Sequence, residues 1–157
     1  MTQLANRLKR GLLFSLLLPV FAARDVRAAE TGPQTVQVKI ETILASNQSD
    51  EFDARLKTLE RQLKVLKYRS YRLLKEESQN VPAKGSATFD IPGGRSLIVS
   101  PQDFKKQRIA LKVRWQEGEK PLVDTTITLP NKGNFILGGG PPHEGGVLVL
   151  SISAVAQ

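Results

Sequence analysis

The sequence predicts an α+β domain: a twisted, mainly antiparallel β-sheet or sandwich of about seven to eight strands with one amphipathic helix packed on it. Three observations carry that expectation. One stretch between residues 50 and 67 repeats apolar residues every three or four positions. The segments after it alternate apolar and polar residues with a period of two. Glycine and proline pairs separate those segments at ordinary turn spacing.

The order of elements begins with a segment expected to be removed. Arg7, Lys9 and Arg10, with no acid among them, lead into the apolar run from Gly11 to Ala22. A helix of that length spans about 18 Å against a hydrocarbon core of about 30 Å, so residues 1–28 are read as a secretory signal peptide, not a membrane span. Val26-Arg27-Ala28 and Val20-Phe21-Ala22 both satisfy the small-residue cleavage rule. Cleavage after Ala28 is the preferred expectation, with Ala22 as the other site. The location expected is therefore bacterial and exported, periplasmic or extracellular, with no transmembrane span in the mature chain.

Removing residues 1–28 takes away five basic residues and one acid, leaves 18 and 14, and lowers the net charge from +8 to +4. Much of the basicity belongs to the leader, which argues against a nucleic-acid partner. The chain has no cysteine, so a lipid-anchored form, disulfides and thiolate chemistry are all excluded. About 129 residues remain, enough for one domain held by packing alone.

Residues 29–34 form a short polar lead, and a single domain is expected over 35–157. Val36, Val38 and Ile40 alternate with Gln37, Lys39 and Glu41, which predicts a half-buried strand from Thr35 to Ala45. Asn47 to Asp50 stops it. Phe52, Leu56, Leu59, Leu63 and Leu66 then recur at spacings of 4, 3, 4 and 3, predicting a helix over Asp50–Lys67 with acids at its N-terminus and cations toward its C-terminus. The run covers about two heptads, too few for a coiled coil.

Arg69–Ser78 reads as the next strand, and the strand-helix-strand order predicts that it runs parallel to the first if the two share a sheet. Ala87, Phe89 and Ile91 alternate up to Gly93 and Gly94, and Leu97 and Val99 alternate after them, which is a hairpin signal. Arg108–Gln116 alternates throughout, with Ile109, Leu111, Val113 and Trp115 on its apolar face. Strands at 123–129 and 134–137 follow through short turns. Gly146–Ala154 is apolar at consecutive positions, which predicts a central strand covered on both faces.

The residues that carry chemistry are few. His143, the only histidine, lies in the glycine- and proline-rich run from Gly138 to Gly146, and no serine occupies a nucleophile-elbow context. The run lacks the lysine and the following helix of a phosphate loop. It reads as a turn whose Gly139, Gly140, His143 and Glu144 form the rim of a binding loop. Asp50, Glu51 and Asp53 lack the alternation and turn glycine of a calcium loop and read as helix caps. No metal or cofactor is expected.

Arg55 to Lys75 holds eight basic residues and one acid. Arg55, Arg61, Lys64, Lys67, Tyr68, Arg69, Tyr71 and Arg72 are its candidate surface for a polyanion or a partner. Ordinary solvation of a helix face explains the same charges. Ile43 and Ile98 are further apolar positions that would extend an interface.

Leu44-Ala-Ser-Asn47, Arg55-Leu56, Ser70-Tyr-Arg-Leu-Leu74, Leu137-Gly-Gly139 and Gly145-Gly-Val-Leu-Val149 resemble an uncharacterised group of exported bacterial proteins, over nearly all of the mature chain. The resemblance implies an envelope location and no particular activity. The function expected is a non-enzymatic binding or structural module of the bacterial envelope, an accessory part of a surface assembly with a protein or glycan partner. A carboxylate-dependent hydrolase of cell-wall or extracellular polymer, and a polyanion-binding protein using residues 55–75, are the alternatives.

Overall fold

The computed structural model describes residues 32–157; the expected signal peptide and residues 29–31 of the polar lead lie outside the described residues. The strands are β1 (Thr35–Ser46), β2 (Ser70–Pro82), β3 (Ala87–Ile91), β4 (Arg95–Lys105), β5 (Arg108–Glu117), β6 (Lys120–Pro130), β7 (Asn134–Leu137), β8 (Pro142–His143) and β9 (Gly146–Ala156). They form two antiparallel sheets packed as a sandwich. Sheet A has the order β2-β1-β9-β7, with β8 also on β9, and sheet B runs β3-β4-β5-β6 in chain order.

The period-two patterns determine which side chains meet between the sheets. Val36, Val38, Ile40 and Leu44 of β1 and Leu148, Leu150, Ile152 and Ala154 of β9 face Phe89, Leu97, Val99, Ile109, Leu111, Val113 and Trp115 of sheet B. The hairpin expected at Gly93 and Gly94 joins β3 to β4, with both glycines at positive φ, 90° and 72°. The consecutive apolar residues of β9 are explained as expected. The strand is central, with even-numbered residues in the sandwich and Val149 on the other face beneath the helical segment.

The helical segment is shorter than the expected Asp50–Lys67. It is a 3-10 helix, Ala54–Leu59, continuing into α1, Glu60–Lys64. Leu56, Leu59 and Leu63 cover Ile43, Ala45, Leu73 and Val149 on the outer face of sheet A, so the leucine spacing identifies the buried stripe correctly. Its limits come from elsewhere. Upstream, Phe52 bridges to Tyr71 beside β2, which holds residues 51–53 extended. Downstream, the Tyr71 hydroxyl donates to the Leu63 carbonyl at 2.6 Å and accepts the Tyr68 amide at 3.1 Å. Lys67 then takes a left-handed conformation, φ 62°.

A second expectation is overturned: β1 and β2 are antiparallel neighbours, with Ser46 opposite Ser70 and Thr35 opposite Pro82. A parallel crossover has to carry the chain back along the whole of β1, about 40 Å for twelve residues. The helical segment advances only about 20 Å, so the chain re-enters the sheet where it left. Ile43, expected at an exposed interface, is fully buried under the helix, while Ile98 is half-buried on the outer face of sheet B.

Candidate functional site

Three separate stretches of chain meet at one end of sheet A: the end of β1 with the residues after it, the start of β2, and the turn between β8 and β9. Between them lies a groove of about 720 Å³. Ser46, Gln48 and Ser49 line one side, Glu51, Phe52, Asp53 and Arg55 another, and Tyr71, Arg72 and Glu144 close it. The groove thus joins the basic region to the glycine-rich turn, two segments that the sequence singles out independently.

Four of its five charged groups are held in pairs, and Glu51 forms no ion pair among the described residues. Asp53 caps the 3-10 helix by accepting the Arg55 amide at 3.0 Å. It also takes the Arg55 guanidinium in a fork, 3.0 Å from Nε to Oδ1 and 2.7 Å from Nη2 to Oδ2. Oδ2 further accepts the Leu73 amide at 3.0 Å, and Arg55 Nη2 donates to the Leu73 carbonyl at 3.2 Å. The guanidinium of Arg55, helped by the amides of Leu73 and Arg55, holds the Asp53 carboxyl well below the usual carboxylate range. Arg72 lies 3.7 Å from Glu144, both side chains exposed. Arg69 forms a similar fork with Asp50 at 2.8 and 2.7 Å, outside the groove, and lowers the Asp50 carboxyl.

Of the candidate basic surface, only Arg55, Tyr71 and Arg72 line the groove. Tyr71 is 2% exposed, packed edge-on to Phe52 at 5.9 Å, and burial pushes its phenol up; it belongs to the core under the helix and adds little to the groove wall. Tyr68 is half-buried against it. Lys64 pairs with Glu60 at 2.7 Å. Lys57, Arg61 and Lys67 are exposed and form no ion pair among the described residues. Pairing therefore removes most of the free charge that the run of basic residues suggests.

In the glycine-rich turn, Glu144 reaches the groove and the rest does not. Gly140 lies where any Cβ would collide with the Leu148 carbonyl and the Trp115 ring, so its lack of a side chain serves packing. Gly139 is exposed at positive φ. His143 is 3.8 Å from Glu144, with its ring near Gly93. The turn is anchored by Arg95, 9% exposed, which donates to the Pro92 carbonyl at 3.0 Å, to the Pro142 carbonyl at 3.2 Å, and to Glu117 at 3.0 Å. Sequence reasoning misses Arg95, Gln48 and Ser46; nothing in their local pattern separates them from other turn and strand residues.

A second, shallower groove of about 560 Å³ runs from the turn after β2 onto the outer face of sheet B. Lys84, Ser86, Ser100, Gln102 and Lys112 line it, and no carboxylate does. Neither lysine has an ion-pair partner among the described residues. Within the same residues, no group of three or more His, Asp or Glu is arranged to hold a metal ion, and no helix is long and apolar enough to cross a membrane. Comparison with known proteins found no matching family model, no matching curated protein and no matching solved structure.

Proposed function

We propose that this chain is an exported, non-enzymatic binding module of the bacterial envelope, and that the groove at the end of sheet A is its recognition surface. The observation that carries the reading is the convergence of two sequence-distant polar segments on one groove whose two arginines are each paired with a carboxylate, leaving Glu51 as its one charge without an ion pair among the described residues. Such pairs offer donors and acceptors with little net charge. With Ser46, Gln48, Ser49 and the edge of Phe52 beside them, they suit a neutral hydrogen-bonding ligand, an envelope glycan or a polar protein loop.

Asp53 is already bonded to the Arg55 guanidinium and to the amides of Arg55 and Leu73, so its carboxylate is engaged in holding the fold and is not placed as a general acid. The reading is tested by placing a photo-crosslinking side chain at Gln48 and exposing the exported chain to an envelope extract. A discrete adduct that disappears when Arg72→Ala and Glu144→Ala are added, in a protein of unchanged melting temperature, is expected. Adducts that ignore both substitutions would remove the groove from consideration.

A second reading, polyanion binding, is favoured by the carboxylate-free groove around Lys84 and Lys112. It predicts retention on a sulfated or phosphorylated matrix that weakens as salt rises and is lost in Lys84→Ala, Lys112→Ala. Retention independent of salt would count against it.

A further inference from the structure

A sandwich of two open sheets exposes four strand edges, and unpaired edge backbone is a template for another strand unless it is covered or charged. Three of the four edges here are managed. Beside β2, Tyr71 exchanges backbone hydrogen bonds with Asp53 and Glu51 at 2.9 and 3.1 Å, and the side chains of Asp53 and Arg55 take up the amide and carbonyl of Leu73. Farther along β2, Lys75, Glu76 and Glu77 supply charge. On β3, the Thr88 carbonyl accepts from Gln79 at 2.8 Å and the Asp90 carbonyl from Lys75 at 2.9 Å. β7 is four residues long, and its Asn134 amide is locked to Gln62 by reciprocal hydrogen bonds of 3.1 and 2.6 Å.

β6 is less protected, its prolines and its bulge lying toward its ends. It is eleven residues long and, among the described residues, pairs only with β5. Among the described residues, no backbone or side-chain group outside β5 bonds to its main chain between residues 121 and 129. Pro121, the extra residue Leu122 and Pro130 delimit an open stretch, Val123-Asp-Thr-Thr-Ile-Thr-Leu129, in which five of seven residues are β-branched. Its one charge, Asp124, is already 3.3 Å from Arg114. Thr125 shares the inward side of the strand with the buried Ile127 and Leu129, yet it is exposed.

We propose that this edge pairs with the same edge of a second copy of the chain, antiparallel about a two-fold axis through Thr126, joining two four-stranded sheets into one of eight. A two-fold contact requires a self-complementary strand, and β6 is one. In that register Thr126 meets Thr126 and Asp124 meets the hydroxyl of Thr128 on the outer face. On the inner face Thr125 meets Ile127 and Val123 meets Leu129. Opposite residues share a face, the single charge never faces itself, and the exposed Thr125 gains a neighbour. The contact is independent of what the groove on sheet A takes.

The absence of cysteine makes the test clean. Thr126→Cys sets two thiols opposite each other at the two-fold axis, where Cα atoms about 4.5–5.5 Å apart permit a disulfide. Lys112→Cys, exposed on the outer face of β5, lies about three strand spacings from its mate, roughly 14 Å, and cannot form one. The purified exported chain with Thr126→Cys is expected to form covalent dimer at least tenfold faster than with Lys112→Cys on mild oxidation. The unsubstituted chain should sediment as a dimer, and Thr125→Lys, an inward lysine on an edge strand, as a folded monomer with Trp115 fluorescence unchanged. The crosslinking comparison decides even if Thr125→Lys fails to fold. Equal rates for the two cysteine variants overturn the proposal, whatever the sedimentation.

Discussion

Replacing Asp53 by alanine removes more structure than any other single exposed or half-exposed acid, because one carboxylate caps a helix, holds Arg55 and satisfies the Leu73 amide. Loss of the cap costs about 1 kcal/mol. Leaving the half-buried Leu73 amide without its acceptor costs about 1–2 kcal/mol more. The pair with Arg55, whose side chain is 65% exposed, is screened by solvent and adds little. The sum is about 2–3 kcal/mol, which for a domain of this size lowers Tm by about 8–12 °C.

The same substitution has a signature in pH. Asp53 titrates below its unfolded value of about 3.9 when folded, so its contribution is complete above that value and is lost as pH falls toward the folded one. Thermal melts followed by circular dichroism should therefore show a Tm gap between the parent and Asp53→Ala that is constant from pH 7 to 5 and narrows below about pH 4. Asp53→Asn, which keeps one acceptor oxygen, should fall between them. A gap under about 2 °C at pH 7, or one that does not narrow in acid, would refute the reasoning.

Asp50→Ala breaks a fork as short as that of Asp53 but between two exposed side chains, and the same melts should give an unchanged Tm. Tyr71→Phe deletes the hydroxyl that closes the helical segment and orphans the Tyr68 amide, while the Leu63 carbonyl keeps the Leu66 amide; urea unfolding should register a loss of about 1–2 kcal/mol. Gly140→Ala drives a methyl group into the Leu148 carbonyl and the Trp115 ring, and should cost about 1–3 kcal/mol with a shift in tryptophan emission.

The strands are legible in the sequence because a strand with one wet face writes its register into alternate residues. Ile109 to Trp115 and Val36 to Ile40 need nothing beyond that pattern, and the consecutive apolar residues of β9 signal a strand with two covered faces. The helical segment is half legible. Leucines at 56, 59 and 63 identify the face it buries, but an i+3 step suits a 3-10 turn as well as an α-helix, and its ends depend on Tyr71 and on the bridge at Phe52, which act only after β2 is in place. The same distance in sequence hides the direction of β2.

At the site, Arg55, Arg72 and Glu144 are visible as charged residues in biased segments. What the composition cannot convey is that Asp53 and Glu144 sit beside those arginines, because pairing across β2 and across the β8–β9 turn is a property of the fold. A count of basic residues from 55 to 75 overstates the free charge for that reason. Gly140 illustrates the reverse: a glycine that looks like a loop hinge is required by the indole it lies against.

The place of β9 between β1 and β7 bears on when the domain becomes itself. Val36 pairs with Ala156 and Ala45 with Val147, so every pair between β1 and β9 closes a loop of about 100 residues or more. Sheet A has no centre until β9 has been delivered, and sheet B, whose strands follow one another in chain order, is left with one side of its apolar face bare until then. Completion of the domain thus waits on β9. Until β9 arrives, β1 has only β2 beside it, and the face of sheet A that meets sheet B lacks Leu148, Leu150, Ile152 and Ala154.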